Sequence, residues 1–231
     1  MTIQAVIFDF DGLLMDTEAT MLASWQFEWR QHGLELDTTT FFADHGGDVT
    51  AERYADLARA VGASYDRQAS HQRRVAFRNG LNAELGLLPG IADWLDQAHS
   101  MGLRLAIASS SPRAWVRGLL ARTGYLDQFE VVACGDEVAA PKPDPAVYSL
   151  ALHRLGVSGR DAVAVEDAAH GVTAAQAAGL PCVAIPGKHA DIRRFADAEL
   201  VLRSATELDL ADALSALTPR SSAGPDDEAV A

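Results

Sequence analysis

Six short apolar runs, each ending in a polar or charged cluster, constrain this chain more than any other feature. They are Ala5-Val6-Ile7-Phe8, Leu103 to Ala108, Val131-Val132-Ala133, Ala162 to Val165, Cys182 to Ile185, and the weaker Leu200-Val201-Leu202. Near-continuous apolar runs of this length suit strands buried on both faces, as in a parallel sheet. Helical patterns separate them. Ile91, Trp94, Leu95 and Ala98 fall on one helix face, as do Val116, Leu119, Leu120 and Thr123. Ser111-Pro112 and Asp144-Pro145 each offer an N-cap residue followed by Pro at the first helical position. Strands alternating with helices predict an α/β fold with a doubly wound, Rossmann-like parallel sheet.

One interval breaks the alternation. Between Asp16 and about Gly86 the pattern is helical, with Met21, Leu22, Trp25 and Trp29 on one face and Tyr54, Leu57, Ala58 and Val61 on another. About 70 helical residues are too many for one crossover. The expectation is a helical cap, residues 16–86, inserted after the first strand into an α/β core of residues 1–15 and 87–220. The tail, residues 221–231, is small, polar and acidic, and reads as disordered.

Composition narrows the partners. The 19 Lys and Arg against 32 Asp and Glu give a net charge of −13. Such a chain is a poor general binder of nucleic acid or of an anionic membrane surface. No apolar run approaches the length of a membrane span, and the N-terminus lacks the bases of a signal peptide. Cys134 and Cys182 fit no metal or redox spacing. The expectation is a cytoplasmic protein with reduced thiols, monomeric or homodimeric.

In open α/β sheets, ligands sit outside the carboxyl ends of the strands. Asp9-Phe10-Asp11-Gly12 follows the first run, Ser109-Ser110-Ser111 the second, Pro141-Lys142-Pro143 the third and Glu166-Asp167 the fourth. A parallel sheet brings all of them to one edge. Asp9 and Asp11, two apart in extended chain, point the same way. Four carboxylates crowded together repel unless something positive lies among them. Oxygen ligands select a hard cation such as Mg²⁺, which keeps a substrate phosphate in its shell. Lys142 and Ser109 can hold further phosphate oxygens, and backbone N–H groups at Ser110 and Ser111 can do so at a helix start. Lysine is a notable choice at 142, because this chain has 17 arginines and two lysines, and a compact ammonium suits a point contact to phosphate. Asp is also a competent nucleophile toward phosphorus, and a second Asp two residues on can serve as acid and base.

The stretches VIFDFDGLLMDTE, LAIASSSP, GDEVAAPKPDP and VAVEDAAHGVTAAQAAG, in this order and each after an expected strand, resemble the haloacid dehalogenase superfamily. The chain to about residue 215 is similar to the branch with a helical cap after the first strand, which includes β-phosphoglucomutases and sugar-phosphate phosphatases. The resemblance implies that Asp9 is nucleophile and Mg²⁺ ligand. Asp11 would be acid and base, with its backbone carbonyl on the metal. Ser109, Ser110 and Lys142 would bind the transferring phosphoryl group, and Glu166 and Asp167 would complete the metal site. Halide-displacing members, cation pumps and phosphonate cleavers lack the second Asp, so Asp11 favours phosphate esters. β-Phosphoglucomutases carry a histidine where Met21 stands here, which favours a phosphatase of a small phosphorylated metabolite over a phosphosugar mutase. A non-catalytic binding or regulatory protein ranks last, because Asp9 and Asp11 are both retained. The members usually have Ser after the Glu-Asp pair, where this chain has Ala168.

Substrate choice falls to the cap. Arg67, Arg73, Arg74 and Arg78 form a basic stretch without an intervening acid, and Arg67, Arg74 and Arg78 share a helix face. A solvated face is the ordinary reading of such a run; a contact between Arg74 or Arg78 and a substrate anion is the functional one. Glu18 and His45 are further candidates for specificity.

Overall fold

Each of the six apolar runs forms a strand: β1 (Ala5–Phe8), β2 (Arg104–Ser109), β3 (Val131–Cys134), β4 (Ala162–Glu166), β5 (Cys182–Ala184) and β6 (Leu200–Val201). The computed structural model describes residues 2–42, 49–188 and 190–217. His45 and the acidic tail lie outside the described residues. All the strands are parallel and lie in the order β3-β2-β1-β4-β5-β6. The chain winds outward from β1 to β3, then crosses back to β4 on the other side of β1. The winding therefore reverses at β1, which places a crevice beyond the carboxyl ends of β1, β2 and β4.

The apolar runs are continuous because both faces of the sheet are covered, by different chemistry. Val6, Phe8, Leu105, Ile107, Val163 and Val165 point to one side, against α4 (Ile91–Ser100), α5 (Arg113–Thr123) and α8 (Leu210–Ala216). Ala5, Ile7, Ala106, Ala108, Ala162 and Ala164 point to the other, against α6 (Ala146–Leu155) and α7 (Ala169–Ala177). The small residues on that second side let α6 and α7 seat close to the strands. Cys134 and Cys182 are buried as free thiols.

Between β1 and α4 lie α1 (Thr17–Gln31), α2 (Thr50–Val61) and α3 (Arg67–Ala83), with no strand among the described residues. Trp25, Phe41 and Tyr54 form the apolar centre of this insert, with Met21, Leu22 and Trp29 packed around them. The α1 face read from the pattern thus meets α2 through Tyr54, whose ring centre lies 4.6 Å from that of Trp25. Polar ties join α1 to α3. The Thr20 hydroxyl donates to Asn82 Oδ1 at 2.7 Å. The Arg73 guanidinium donates to the buried Glu28 carboxylate, at 2.5 Å for its shorter contact.

The basic run divides: Arg67 is exposed, as a solvated face requires, while Arg74 is buried and Arg78 partly so. Arg74 is 6% exposed; its guanidinium donates to Tyr54 Oη and Ser24 Oγ and lies 4.4 Å from the Trp25 ring centre. A helix face that carries three arginines was expected to seek water. Here aromatic rings and buried hydroxyls desolvate Arg74 instead, while Arg67 stays exposed.

Candidate active site

Asp9 is the first residue beyond β1, and its N–H continues the ladder to Val165 O at 2.9 Å. Glu166 is the last residue of β4 and Asp167 the next. The parallel register, Phe8 opposite Val165, therefore delivers three carboxylates to one spot. Asp9, Glu166 and Asp167 each offer an oxygen within 4.8 Å of the others, and all three are buried. Lys142 arrives from the loop after β3. Its ammonium, 3% exposed as a residue, donates to Asp9 Oδ1 at 2.5 Å, Glu166 Oε1 at 2.6 Å and Ala108 O at 2.8 Å. Those three bonds use every donor the ammonium has. A phosphoryl group would thus meet Lys142 through the Asp9 oxygen they share, rather than at a free donor.

The charge balance is uneven, with three carboxylates to one ammonium. Burial pushes Asp9 up to about 8, with Lys142 opposing and Glu166 and Asp11 adding to the rise. Burial, then Asp9 and Glu166, also raises Asp167 well above the ordinary carboxylate range. Glu166 Oε2 is buried without a hydrogen-bond partner. Excess negative charge, an orphaned carboxylate oxygen and an all-oxygen donor set fit a hard divalent cation held by Asp9, Glu166 and Asp167. A second acidic group, Cys134, Asp136 and Glu137, has its charge answered otherwise, since Arg113 and Arg154 both bond the Glu137 carboxylate at 2.7 Å.

Two glycines make room for this cluster. A Cβ on Gly12, whose φ is +85°, would stand 2.1 Å from Asp167 Oδ2. A Cβ on Gly171 would stand 2.1 Å from the Glu166 carboxyl atoms. Gly171 lies inside α7, where helix propensity alone favours Ala by about 1 kcal/mol. Gly171→Ala is nevertheless expected to destabilise the protein by about 1–3 kcal/mol, through overpacking against Glu166. Thermal unfolding checks the sign, and a smaller Mg²⁺-induced rise in Tm would accompany the loss.

Asp11 stands apart from the trio, and the structure turns its carboxylate to other partners. Thr17 Oγ1 donates to Oδ1 at 2.7 Å, Trp115 Nε1 to the same oxygen at 2.9 Å, and Ser111 Oγ to Oδ2 at 2.6 Å. Ser111 was expected to cap a helix. Pro112 holds that position at the start of α5 instead, which frees the Ser111 hydroxyl for Asp11. Asp144 was likewise expected to cap a helix, but Pro145 holds that position at the start of α6, and the Asp144 carboxylate accepts from Ala146 N–H at 2.9 Å from one residue further out. Ser109 closes β2, fully buried, and its Oγ accepts from Ser111 N–H at 3.0 Å; Ser110 Oγ accepts from Lys142 N–H at 3.3 Å.

Glu18, in the first turn of α1, reaches the edge of this site. Its Cγ and Asp167 Oδ2 both lie within 3.4 Å of where a Gly12 Cβ would be. Burial, then Asp16 and Asp11, raises its carboxyl to about 6. Beside it opens a cavity of about 370 Å³ between α1 and the loops after β5 and β6, with Lys188 and Arg203 in its wall. Arg78 also faces the site. Its guanidinium lies 4.6 Å from the Trp115 ring centre and donates to Thr17 O at 3.3 Å, while its Nε is buried without a partner. Burial lowers the Arg78 pKa and the nearby Asp11 opposes that fall. Arg74 does not join this group, being held inside the insert.

Sequence reasoning missed Thr17, Trp115 and Tyr148. Tyr148 donates to Glu166 Oε1 at 2.7 Å, and its ring centre lies 4.9 Å from the Lys142 ammonium. A tyrosine on the small-residue face of α6 was a signal, since a buried phenol needs a partner.

A family model described as haloacid dehalogenase-like hydrolase matches residues 6–185. Protein CbbY of Cereibacter sphaeroides is 36% identical over 228 residues, covering 89% of this chain and 94% of that protein. The phosphoglycolate phosphatase of Yersinia pseudotuberculosis serotype I is 32% identical over 191 residues, covering 79% of this chain and 81% of its own length. Among solved structures, a variant of CbbY from Rhodobacter sphaeroides in complex with xylulose-(1,5)bisphosphate matches with a TM-score of 0.71 at 32% identity. That match covers 91% of this chain and 98% of the other.

Proposed function

The chain belongs to the haloacid dehalogenase-like hydrolase family, and from that premise we propose that it is a Mg²⁺-dependent phosphatase of a small phosphorylated metabolite, working through an aspartyl-phosphate. The observation that carries this reading is one buried cluster. It joins a candidate nucleophile, Asp9, to a lysine and two further carboxylates, with a second aspartate held alongside. Curated relatives named as phosphatases support the reaction class.

In this reading a carboxylate oxygen of Asp9 attacks phosphorus in line, and the bond from phosphorus to the leaving oxygen breaks. Asp11 gives that oxygen its proton. Water then attacks the phospho-aspartate, Asp11 takes the water proton, and Asp9 is released with free phosphate. Lys142 holds the Asp9 oxygen and lies beside the charge that develops on the phosphoryl group. A cation bound by Asp9, Glu166 and Asp167 would supply further neutralisation of that charge. Ser109 and Ser110, at the end of β2, orient the phosphoryl oxygens. The helical insert, residues 16–86, serves as a cap over the core of residues 1–15 and 87–220, excluding bulk water. On its inner side Arg78, with an unpartnered Nε, is placed to meet an anionic group on the leaving portion of the substrate. Glu18 instead lines the cavity that opens toward the loops after β5 and β6.

Hydrolysis is favoured over mutase transfer by Met21. It packs with the apolar centre of the insert, and its sulfur accepts from Arg53. It has no proton to relay. A panel of phosphorylated metabolites, sugar phosphates among them, with free phosphate as readout, tests the reading. Phosphate release that EDTA abolishes and Mg²⁺ restores is expected. Turnover unaffected by EDTA, or an isomerised hexose phosphate with no free phosphate, would overturn it.

A further inference from the structure

Trp115 is the one aromatic side chain among the described residues that bonds Asp11, and its ring does a second thing at the same time. Its indole N–H donates to Asp11 Oδ1, while its face carries the Arg78 guanidinium at 4.6 Å. Arg78 in turn donates to the Thr17 carbonyl, and the Thr17 hydroxyl donates back to Asp11 Oδ1. The contacts close a ring, Asp11–Trp115–Arg78–Thr17–Asp11. Two members, Thr17 and Arg78, stand on α1 and α3 of the insert. The other two, Asp11 and Trp115, stand on the loop after β1 and on α5.

We propose that Trp115 is a positioning residue that fixes the Asp11 carboxylate toward the leaving oxygen and ties that orientation to the seating of the insert. This rests on the role given to Asp11 above. The chemistry of the partners gives the device its direction. An indole N–H donates and cannot accept. Oδ1, with Trp115 and Thr17 both donating to it, is therefore the oxygen kept as acceptor. Oδ2 meets only the Ser111 hydroxyl among these partners, and a hydroxyl can rotate from donor to acceptor. The arrangement leaves Oδ2 as the oxygen that presents the proton. A guanidinium over an indole is a cation–π contact of ordinary strength, enough to bias the Trp115 ring but not to lock it. Shifting α3 away from α5 therefore loosens Trp115, and through it Asp11, even where the bond from Thr17 on α1 persists.

Leaving groups of different acidity separate positioning from mere packing. p-Nitrophenolate departs with little need of a proton, whereas phenolate needs one. The experiment measures kcat/KM for p-nitrophenyl phosphate and for phenyl phosphate and takes their ratio, which does not depend on how much of a variant folds. Trp115→Phe keeps a ring under Arg78 and removes the N–H; it is expected to raise the ratio about tenfold, within the range of general acid catalysis. Arg78→Met, which keeps Trp115 but removes the cation, is expected to raise it in the same direction by less. An unchanged ratio in Trp115→Phe overturns the proposal. A raised ratio in Trp115→Phe with none in Arg78→Met overturns the tie to the insert. Asp11→Asn is the control for the premise. If it leaves the ratio unchanged, the acid role of Asp11 fails, and that result is distinct from failure of Trp115 alone.

Discussion

Asp9→Asn is expected to lower phosphatase turnover by about 10⁴-fold or more, the scale on which loss of a nucleophile acts. The substitution is nearly isosteric. It leaves the carbonyl oxygen to accept from Lys142 and removes only the negative charge and the nucleophilic pair. Asp9 and Glu166 share one ammonium in this cluster, with the buried Asp167 carboxylate beside them. Removing one charge from an excess relieves repulsion rather than creating it. The same variant should therefore keep its fold, with a metal-free Tm equal to or above that of the parent. Activity and unfolding measured on one preparation check both halves. A large loss of Tm with the loss of activity would mean that Asp9 is chiefly structural. Acid-quenched enzyme should carry a phosphoryl group in the parent and none in the variant.

The fold was legible because burial on both faces of a parallel sheet writes itself as uninterrupted apolar runs. Even β6, only Leu200–Val201, was visible. Strand ends were legible for the same reason, since the first polar residue after each run marks the sheet edge. Asp9, Ser109 and Glu166 fall together by that rule alone. What failed to show were partners set by tertiary approach. Trp115 is 104 residues from Asp11, and nothing local marks a half-buried indole as a donor to it. Ser111 was misassigned for a related reason: the residue before a Pro looks like a cap, and only the approach of Asp11 reveals the better use of its hydroxyl. The arginine run misled in another way. Charge on a helix suggests water, yet Trp25, Tyr54, Ser24 and Glu28 had already been gathered by α1 and α2 into a surface able to desolvate guanidinium groups.

Lys142→Met should be the most destabilising single change at the site. The thioether keeps most of the stem packed against Tyr148 but removes the ammonium that joins Asp9, Glu166 and the Ala108 carbonyl. Taking one partner from a buried ion cluster costs about 3–5 kcal/mol, because the remaining charges stay desolvated and unanswered. For a chain of this size that corresponds to a fall in Tm of about 10 °C, with turnover at baseline. Burial and the two carboxylates act oppositely on the lysine, and the carboxylates prevail, so its pKa lies above the ordinary value. It remains charged across the working pH range, whereas burial pushes the Asp9 carboxyl up to about 8, so the loss should be larger at pH 8, where Asp9 is more fully ionised, than at pH 6. Two further measurements separate charge from packing. Millimolar Mg²⁺ should raise the Tm of Lys142→Met by more than it raises that of the parent, since an added cation answers the same three carboxylates. The double variant with Asp9→Asn should be less destabilised than the sum of the two singles, because the first change leaves fewer charges for the second to expose. Additive losses, or a Tm that Mg²⁺ leaves unmoved, would mean that Lys142 acts by filling space and that the carboxylates do not form one electrostatic unit.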